Sequence, residues 1–330
     1  MRIAGNKFLI TGGVSMIGAQ ITEHLLKADV REVVLFDNYS LSSPEMVGEL
    51  ARDPRVKLVR GDILRVNELF DALDGVGGVF ATAGFLTLPL TLNPCLGIAV
   101  NVQGMVNVHE ACRYRKVDKV VFSSSVATYG ETGADTTEES SPWNWSKQQP
   151  GAALYGASKI MGENIGRLYE DRYGVKSISL RYSSVYGERQ HLRAVNSVYI
   201  VDTYDRIARS ERPIIPDDGL EVHDYIHVAD IARANLMAME SDVSRESFTV
   251  ATGEATTLNR LVEIILKITG SNLKPEYKTL QGKIRAATSK TMRFSNAKIA
   301  RMIDWRPEIP LEDGIARLIR WRENEARQVR

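Results

Sequence analysis

The chain alternates short apolar runs with longer amphipathic stretches. Lys7-Phe8-Leu9-Ile10-Thr11 stops at Gly12-Gly13, and a helical period then runs from about residue 17 to 26. That order reads as strand, glycine turn, helix. Further apolar runs at 32–36, 56–59, 79–82 and 120–122 each end in small or polar residues: Asp37-Asn38, Gly61-Asp62, Ala83-Gly84 and Ser123-Ser124-Ser125. A helix follows Pro94, another covers about 155–173, and a strand covers 177–180. Strands alternating with helices predict βαβ units, a parallel sheet and right-handed crossovers.

After Tyr186-Gly187 the rhythm loosens. Helices are predicted near 199–209, 228–239, 258–269, 297–303 and 311–327, with short strands between them. The expected fold is α/β: a Rossmann-type doubly wound parallel sheet over residues 1–185, with a smaller mixed C-terminal substrate lobe over 186–330. Some segments of the lobe are expected to return to the first domain. The lobe should lie over the carboxyl edge of the sheet, where open α/β sheets bind ligands.

Composition narrows the function without naming it. A formal net charge of +1 offers no global attraction to nucleic acid or to an anionic membrane. Basic residues gather near the end (Arg317, Arg320, Arg322, Arg327, Arg330), but acidic ones interleave at helical spacing, as on a solvated face. Cys95 and Cys112 form no C-x-x-C pair, and no His/Cys cluster has metal-ligand spacing. Both are expected within or beside one helix. With no signal-type leader and no apolar run of membrane length, a reducing cytoplasm is the expected setting.

Two stretches carry candidate chemistry. The turn between first strand and first helix, with Gly12, Gly13, Ser15, Met16, Ile17 and Gly18, lets backbone amides approach a pyrophosphate at a helix N-terminus. Asp37, ending the second strand, suits the ribose hydroxyls of NAD and would repel the extra phosphate of NADP. Asn38 shares that turn. Ser15 stands at the middle glycine of the motif, where its side chain would lie near the phosphates. Asp62 and Ile63 are placed to meet the adenine, although a plain strand-end aspartate is nearly as good an account. The second stretch is Tyr155-Gly156-Ala157-Ser158-Lys159, whose phenol and ammonium project from one helix face. A nearby ammonium favours the phenolate and so poises the tyrosine for proton transfer.

These residues together resemble the extended short-chain dehydrogenase/reductase family, in particular its NAD-dependent nucleotide-sugar epimerases and dehydratases. The resemblance spans nearly the whole chain. It rests on the glycine turn, Asn101-Val102-Gln103-Gly104, the run from Phe122 to Gly130, Tyr155 with Lys159, Arg181-Tyr182-Ser183-Ser184-Val185-Tyr186-Gly187, Asp224-Tyr225-Ile226-His227-Val228-Ala229-Asp230, and Trp305-Arg306-Pro307 with Leu311-Glu312-Asp313-Gly314.

The resemblance implies that Tyr155 takes a proton from a sugar hydroxyl as hydride passes to the nicotinamide. It also implies that Lys159 holds the nicotinamide ribose and that Ser125 hydrogen-bonds the same sugar oxygen. Ser123 and Ser124 are expected to satisfy local backbone, with Ser123 also at the cofactor. Ala83, Gly84, Asn101, Tyr182, Ser184 and Val185 are expected on the cofactor wall, and Phe85 and Ser184 at the substrate. Family dehydratases carry an Asp-Glu pair directly after the catalytic Ser/Thr. Val126-Ala127 stand there instead and cannot move a proton.

The lobe departs from the family pattern. Ser184 replaces a usual Asn, and His223 replaces an arginine ligand of the diphosphate; histidine cannot offer a bidentate fork. Arg285 matches a second diphosphate arginine. Arg189, His191, Arg193 and Asn196 could replace missing contacts, with an ordinary solvated loop an equal account. Trp143 and Trp145 are read as packing of an insertion, with a lid over the sugar as the alternative. The leading expectation is an NAD-dependent nucleotide-diphosphate-sugar epimerase acting at C4. The alternative is a dehydrogenase or ketoreductase on a non-nucleotide or unusual sugar or alcohol. The resemblance further implies a homodimer built from the helix after Pro94 and the helix bearing Tyr155, whose Ile160, Ile165, Leu168 and Tyr169 form an apolar stripe.

Overall fold

A computed structural model of the protein describes residues 1–132, 134–146, 148–190, 198–279 and 292–328. The strands are β1 (Lys7–Thr11), β2 (Glu32–Asp37), β3 (Val56–Arg60), β4 (Gly78–Ala81), β5 (Lys119–Ser125), β6 (Lys176–Tyr182), β7 (Ser184–Tyr186), β8 (Ile214–Pro216), β9 (Val222–His223), β10 (Tyr225–His227), β11 (Glu246–Val250), β12 (Thr256–Thr257) and β13 (Glu276–Lys278). The helices are α1 (Met16–Lys27), α2 (Val66–Ala72), α3 (Thr87–Leu92), α4 (Pro94–Ile98), α5 (Gly104–Arg115), α6 (Pro150–Tyr173), α7 (Val198–Ala208), α8 (Val228–Glu240), α9 (Leu258–Thr269), α10 (Ala297–Ile303) and α11 (Leu311–Gln328).

Seven strands form one parallel sheet in the order β11-β6-β5-β4-β1-β2-β3. Its central strands β1, β2 and β4 are largely apolar because both faces are covered, whereas edge strand β3 carries exposed Lys57 and Arg60. Phe8, Ile10, Leu35, Phe80 and Leu180 pack toward one face, with residues of α1 and α8. Leu9, Val34, Val79, Val120 and Phe122 pack toward the other, with residues of α2 and α5. Chain order reverses between β1 and β4, so a crevice opens beyond their carboxyl ends. β11, from the second half of the chain, completes the sheet beside β6. The lobe has its own core of Tyr186, Ile200, Val201, Leu261, Ile265 and Leu318.

Three local details differ from the reading of the sequence. The Tyr155 helix starts earlier, at Pro150, because proline at the first helical position gives up an N–H that has no acceptor there anyway. Strand β5 runs on through Ser125, so the serine triplet is strand rather than loop. The expected pair of helical thiols divides: Cys112 is buried on α5, its thiol pushed up by burial, whereas Cys95 on α4 is exposed. Among the described residues, no helix is long and apolar enough to cross a membrane.

Candidate active site

The glycine turn is dictated by packing. A Cβ on Gly13 would stand 2.7 Å from the Cα of Leu35, and one on Gly18 would stand 2.6 Å from the carbonyl oxygen of Gly13. Gly12 has φ +65°, which favours glycine. Ser15 is the N-cap of α1 and accepts from the Gly18 N–H at 3.1 Å, leaving its hydroxyl proton free to donate into the cleft it lines. Met16 and Ile17 supply first-turn N–H groups that have no intrahelical acceptor.

Asp37 accepts from the N–H groups of Val14 (3.1 Å) and Tyr39 (2.8 Å) and from the Ser42 hydroxyl (3.2 Å). These bonds fix its orientation at the cleft wall. At the same end Asn38 donates to Asp62 at 3.1 Å, and Asp62 accepts from the Leu64 N–H. Asp62 and Ile63 both line the cleft, as do Ala83, Gly84 and Phe85.

The far end of this cleft brings together Ser123, Ser125, Tyr155, Lys159, Tyr182 and Val185. Tyr155 is buried and hydrogen-bonded to Ser125, and burial pushes its phenol up to about 12. That reverses the expected lowering. The Lys159 ammonium donates to the Ser123 carbonyl at 2.9 Å and sits 5.7 Å from the centre of the Tyr155 ring, so desolvation outweighs its charge. Burial in turn lowers Lys159 to about 8, opposed by the carboxylate of Glu163.

The neighbouring serines bond side chains, not the local backbone as expected. Ser123 meets the Tyr182 hydroxyl at 3.1 Å, and Ser124 donates to Glu163 at 2.6 Å.

Other expected residues fall elsewhere. Asn101 lies behind the wall in a π-helical turn (Ala99–Gln103); its amide bonds Phe85 N–H, Phe85 C=O and Ser158, so it holds Phe85 in place and does not itself line the cleft. Ser183, not Ser184, lines the cleft beside Val185, because successive strand residues face opposite sides. The N–H of Ser184 is spent on the Asp224 carbonyl. Arg189 does reach the cleft wall while pairing with Glu23 of α1 at 2.6 Å. His223 lies on β9, bonded to Glu221 at 2.7 Å, away from the cleft. His191, Arg193, Asn196 and Arg285 lie outside the described residues. Trp143 and Trp145 remain 38% and 60% exposed, so packing does not account for Trp145.

A model of the NAD-dependent epimerase/dehydratase family matches residues 8–251. A putative UDP-glucose 4-epimerase of Methanocaldococcus jannaschii is 32% identical over 327 residues, covering 97% of this chain and 99% of its own. The chain belongs to the NAD-dependent epimerase/dehydratase family. The UDP-N-acetylglucosamine 4-epimerase from Methanobrevibacter ruminantium M1, solved with UDP-N-acetylmuramic acid, has a TM-score of 0.87 at 26% identity, covering 98% of this chain and 99% of that one. The Thermotoga maritima UDP-glucose 4-epimerase, solved with UDP-glucose, has a TM-score of 0.86 at 26% identity, covering 97% and 99%.

The residues present fit the family cofactor. Gly13 and Gly18 keep the turn close to the sheet, the first turn of α1 offers N–H groups, and acceptor-only Asp37 matches hydroxyl donors. Residues missed in the sequence include Ser42, Met46, Leu86 and Pro89, all on the cleft wall. The Ser-rich stretch directly after Asp37 was a readable signal for Ser42; the apolar ones carry no chemical signature.

Proposed function

We propose that this family member is an NAD-dependent nucleotide-diphosphate-sugar 4-epimerase. The observation that carries the reading is the convergence of Ser125, Tyr155 and Lys159 at one end of a cleft whose other end presents Asp37 and the glycine turn. NAD would be held by the α1 first turn, Ser15, Asp37 and Lys159, and would accept a hydride and return it.

The chain's own part is proton transfer. The Tyr155 oxygen takes the proton of the sugar 4-hydroxyl, Ser125 orients that oxygen, and the phenol returns the proton after the ketone presents its other face. Lys159 supplies the positive charge that must balance the phenolate. Val126 and Ala127 offer no second acid or base, which argues against water elimination. The similarity to proteins named as UDP-sugar 4-epimerases supports a nucleotide-diphosphate sugar as substrate. Incubation with a panel of UDP-, GDP- and dTDP-sugars should yield a C4 epimer from at least one; no epimer from any of them defeats the proposal.

A second reading, a dehydrogenase or ketoreductase on an alcohol without a nucleotide, draws on His223 being tied to Glu221 rather than facing the cleft. Net NADH production or consumption would mark it.

We also propose a homodimer. Leu154, Met161 and Leu168 recur every seven residues on α6 and are exposed, beside exposed Leu92 and Leu96 of α3 and α4. This stripe, and not the half-buried Ile160, Ile165 and Tyr169, is the face available to a second copy. A monomer mass by light scattering would refute it. The two free thiols favour a cytoplasmic setting.

A further inference from the structure

We infer that Glu163 is a positioning residue, whose buried carboxylate anchors Ser124 and so fixes the strand end that presents Ser125 and the Ser123 carbonyl to Tyr155 and Lys159. The inference rests on the catalytic roles proposed above. Tyr155, Lys159 and Glu163 follow one another at four-residue steps on α6 and therefore share one face. Each meets one residue of the β5 end: Tyr155 bonds Ser125, Lys159 bonds the Ser123 carbonyl, and Glu163 bonds the Ser124 hydroxyl.

The carboxylate is itself immobilised. Arg181 of β6 grips it with two N–H groups at 2.9 and 2.7 Å, a bidentate pair at a residue only 3% exposed. Ser247 of β11 adds a bond at 2.9 Å without touching β5. Arg181 also neutralises the carboxylate nearest Lys159, so the ammonium stays directed at Ser123 and the cleft instead of at Glu163. Nothing else in the proposed chemistry requires a buried ion pair at this place, and burying one carries a desolvation cost.

The two serines on this carboxylate separate positioning from mere stability. Ser124→Ala and Ser247→Ala each delete one hydroxyl from the same cluster, and both leave Arg181 to satisfy Glu163. Two readouts apply: turnover, and the Tyr155 phenol titration followed by absorbance as the difference from Tyr155→Phe, on NAD-loaded protein without sugar. The phenol bonds Ser125 and has the Lys159 ammonium 5.7 Å from its ring centre, and Ser123, Ser124, Tyr182 and Arg189 line the same cleft.

Ser124→Ala should raise the phenol pKa by about half a unit to one unit and lower kcat about tenfold with KM little changed. Ser247→Ala should move neither, while both variants lose similar thermal stability. Any other pattern, including equal losses or loss in neither, overturns the inference. Because the titration needs no sugar, it remains readable even if no nucleotide sugar is turned over, so failure of the epimerase reading is distinguishable from failure of this one.

Discussion

On the cofactor side of the cleft, Gly12, Gly13, Ser15 and Asp37 occupy the ends of β1 and β2 and the first turn of α1. Among the residues expected at the substrate, Phe85 and Arg189 line the cleft from irregular segments and His223 sits away from it on a two-residue strand, each held by a partner of its own: Asn101, Glu23 and Glu221. The first set is positioned by sheet register, which a short stretch of sequence dictates. The second depends on pairings between residues far apart in the chain. Tyr155 stands at the junction, its helix packed on the sheet and its phenol facing the substrate side.

The sharpest way to break this division is at that junction. Tyr155→Phe removes the phenolic oxygen but keeps the ring that fills the buried site. Turnover should fall by about a thousandfold, within the usual range for loss of a proton-transfer group, while NAD binding by the opposite end of the cleft changes little. Single-turnover assays with NAD affinity measured in parallel would check it. A comparable loss of NAD affinity would mean that the two ends are not separable.

Acid should loosen the packing of the helices on the sheet through His109, which lies against Tyr169 of α6. This imidazole is fully buried on α5, its Nδ1–H donates to the Met105 carbonyl at 3.0 Å, and burial lowers it to about 4 from 6.5. Between those values the unfolded chain binds a proton that the folded one refuses. The folded state therefore keeps its full stability above pH 6.5 and loses it as pH falls toward 4, by up to about 3 kcal/mol. Urea unfolding at pH 7 and pH 4 measures the loss, and His109→Gln should flatten it.

A smaller effect is expected at Asp37. Replacing it with alanine removes the acceptor of the Val14 and Tyr39 N–H groups and of the ribose hydroxyls, so NAD affinity should fall about ten- to a hundredfold by titration calorimetry. Discrimination against NADP should shrink as well, because the repelling charge is gone.

What was legible follows the same division. The β1–turn–α1 unit and Asp37 were readable because strand, glycines and helix lie within a few residues. Helix α9 was readable because its apolar period is strong. The Pro150 start of α6 had a signal in the proline itself. Tyr155 and Lys159 were placed on one helix face, and they share it, but the direction of the Tyr155 shift was not legible. Spacing reveals that a lysine is near; it does not reveal that the phenol lies in a dry site with the ammonium turned toward Ser123. Asn101 and Ser184 were misplaced for a related reason. Which way a side chain faces is set by partners such as Phe85 and by strand alternation after Tyr182, and neither appears in a motif.

The finest test of the comparison is His223. If it replaced the missing arginine as a diphosphate ligand, His223→Ala would weaken substrate binding by roughly the worth of a charge-assisted hydrogen bond, about tenfold or more. Its ring is instead bonded to Glu221 and tilted against the ring of Tyr225, on a strand paired with β12. The expected change in KM is therefore less than about twofold, with a small loss of lobe stability, of the order of 1 kcal/mol for one partly buried hydrogen bond. Steady-state kinetics on the sugar that proves active, with a melting curve beside them, decide between the two. A tenfold rise in KM would put His223 back on the substrate and show that the lobe rearranges before it binds.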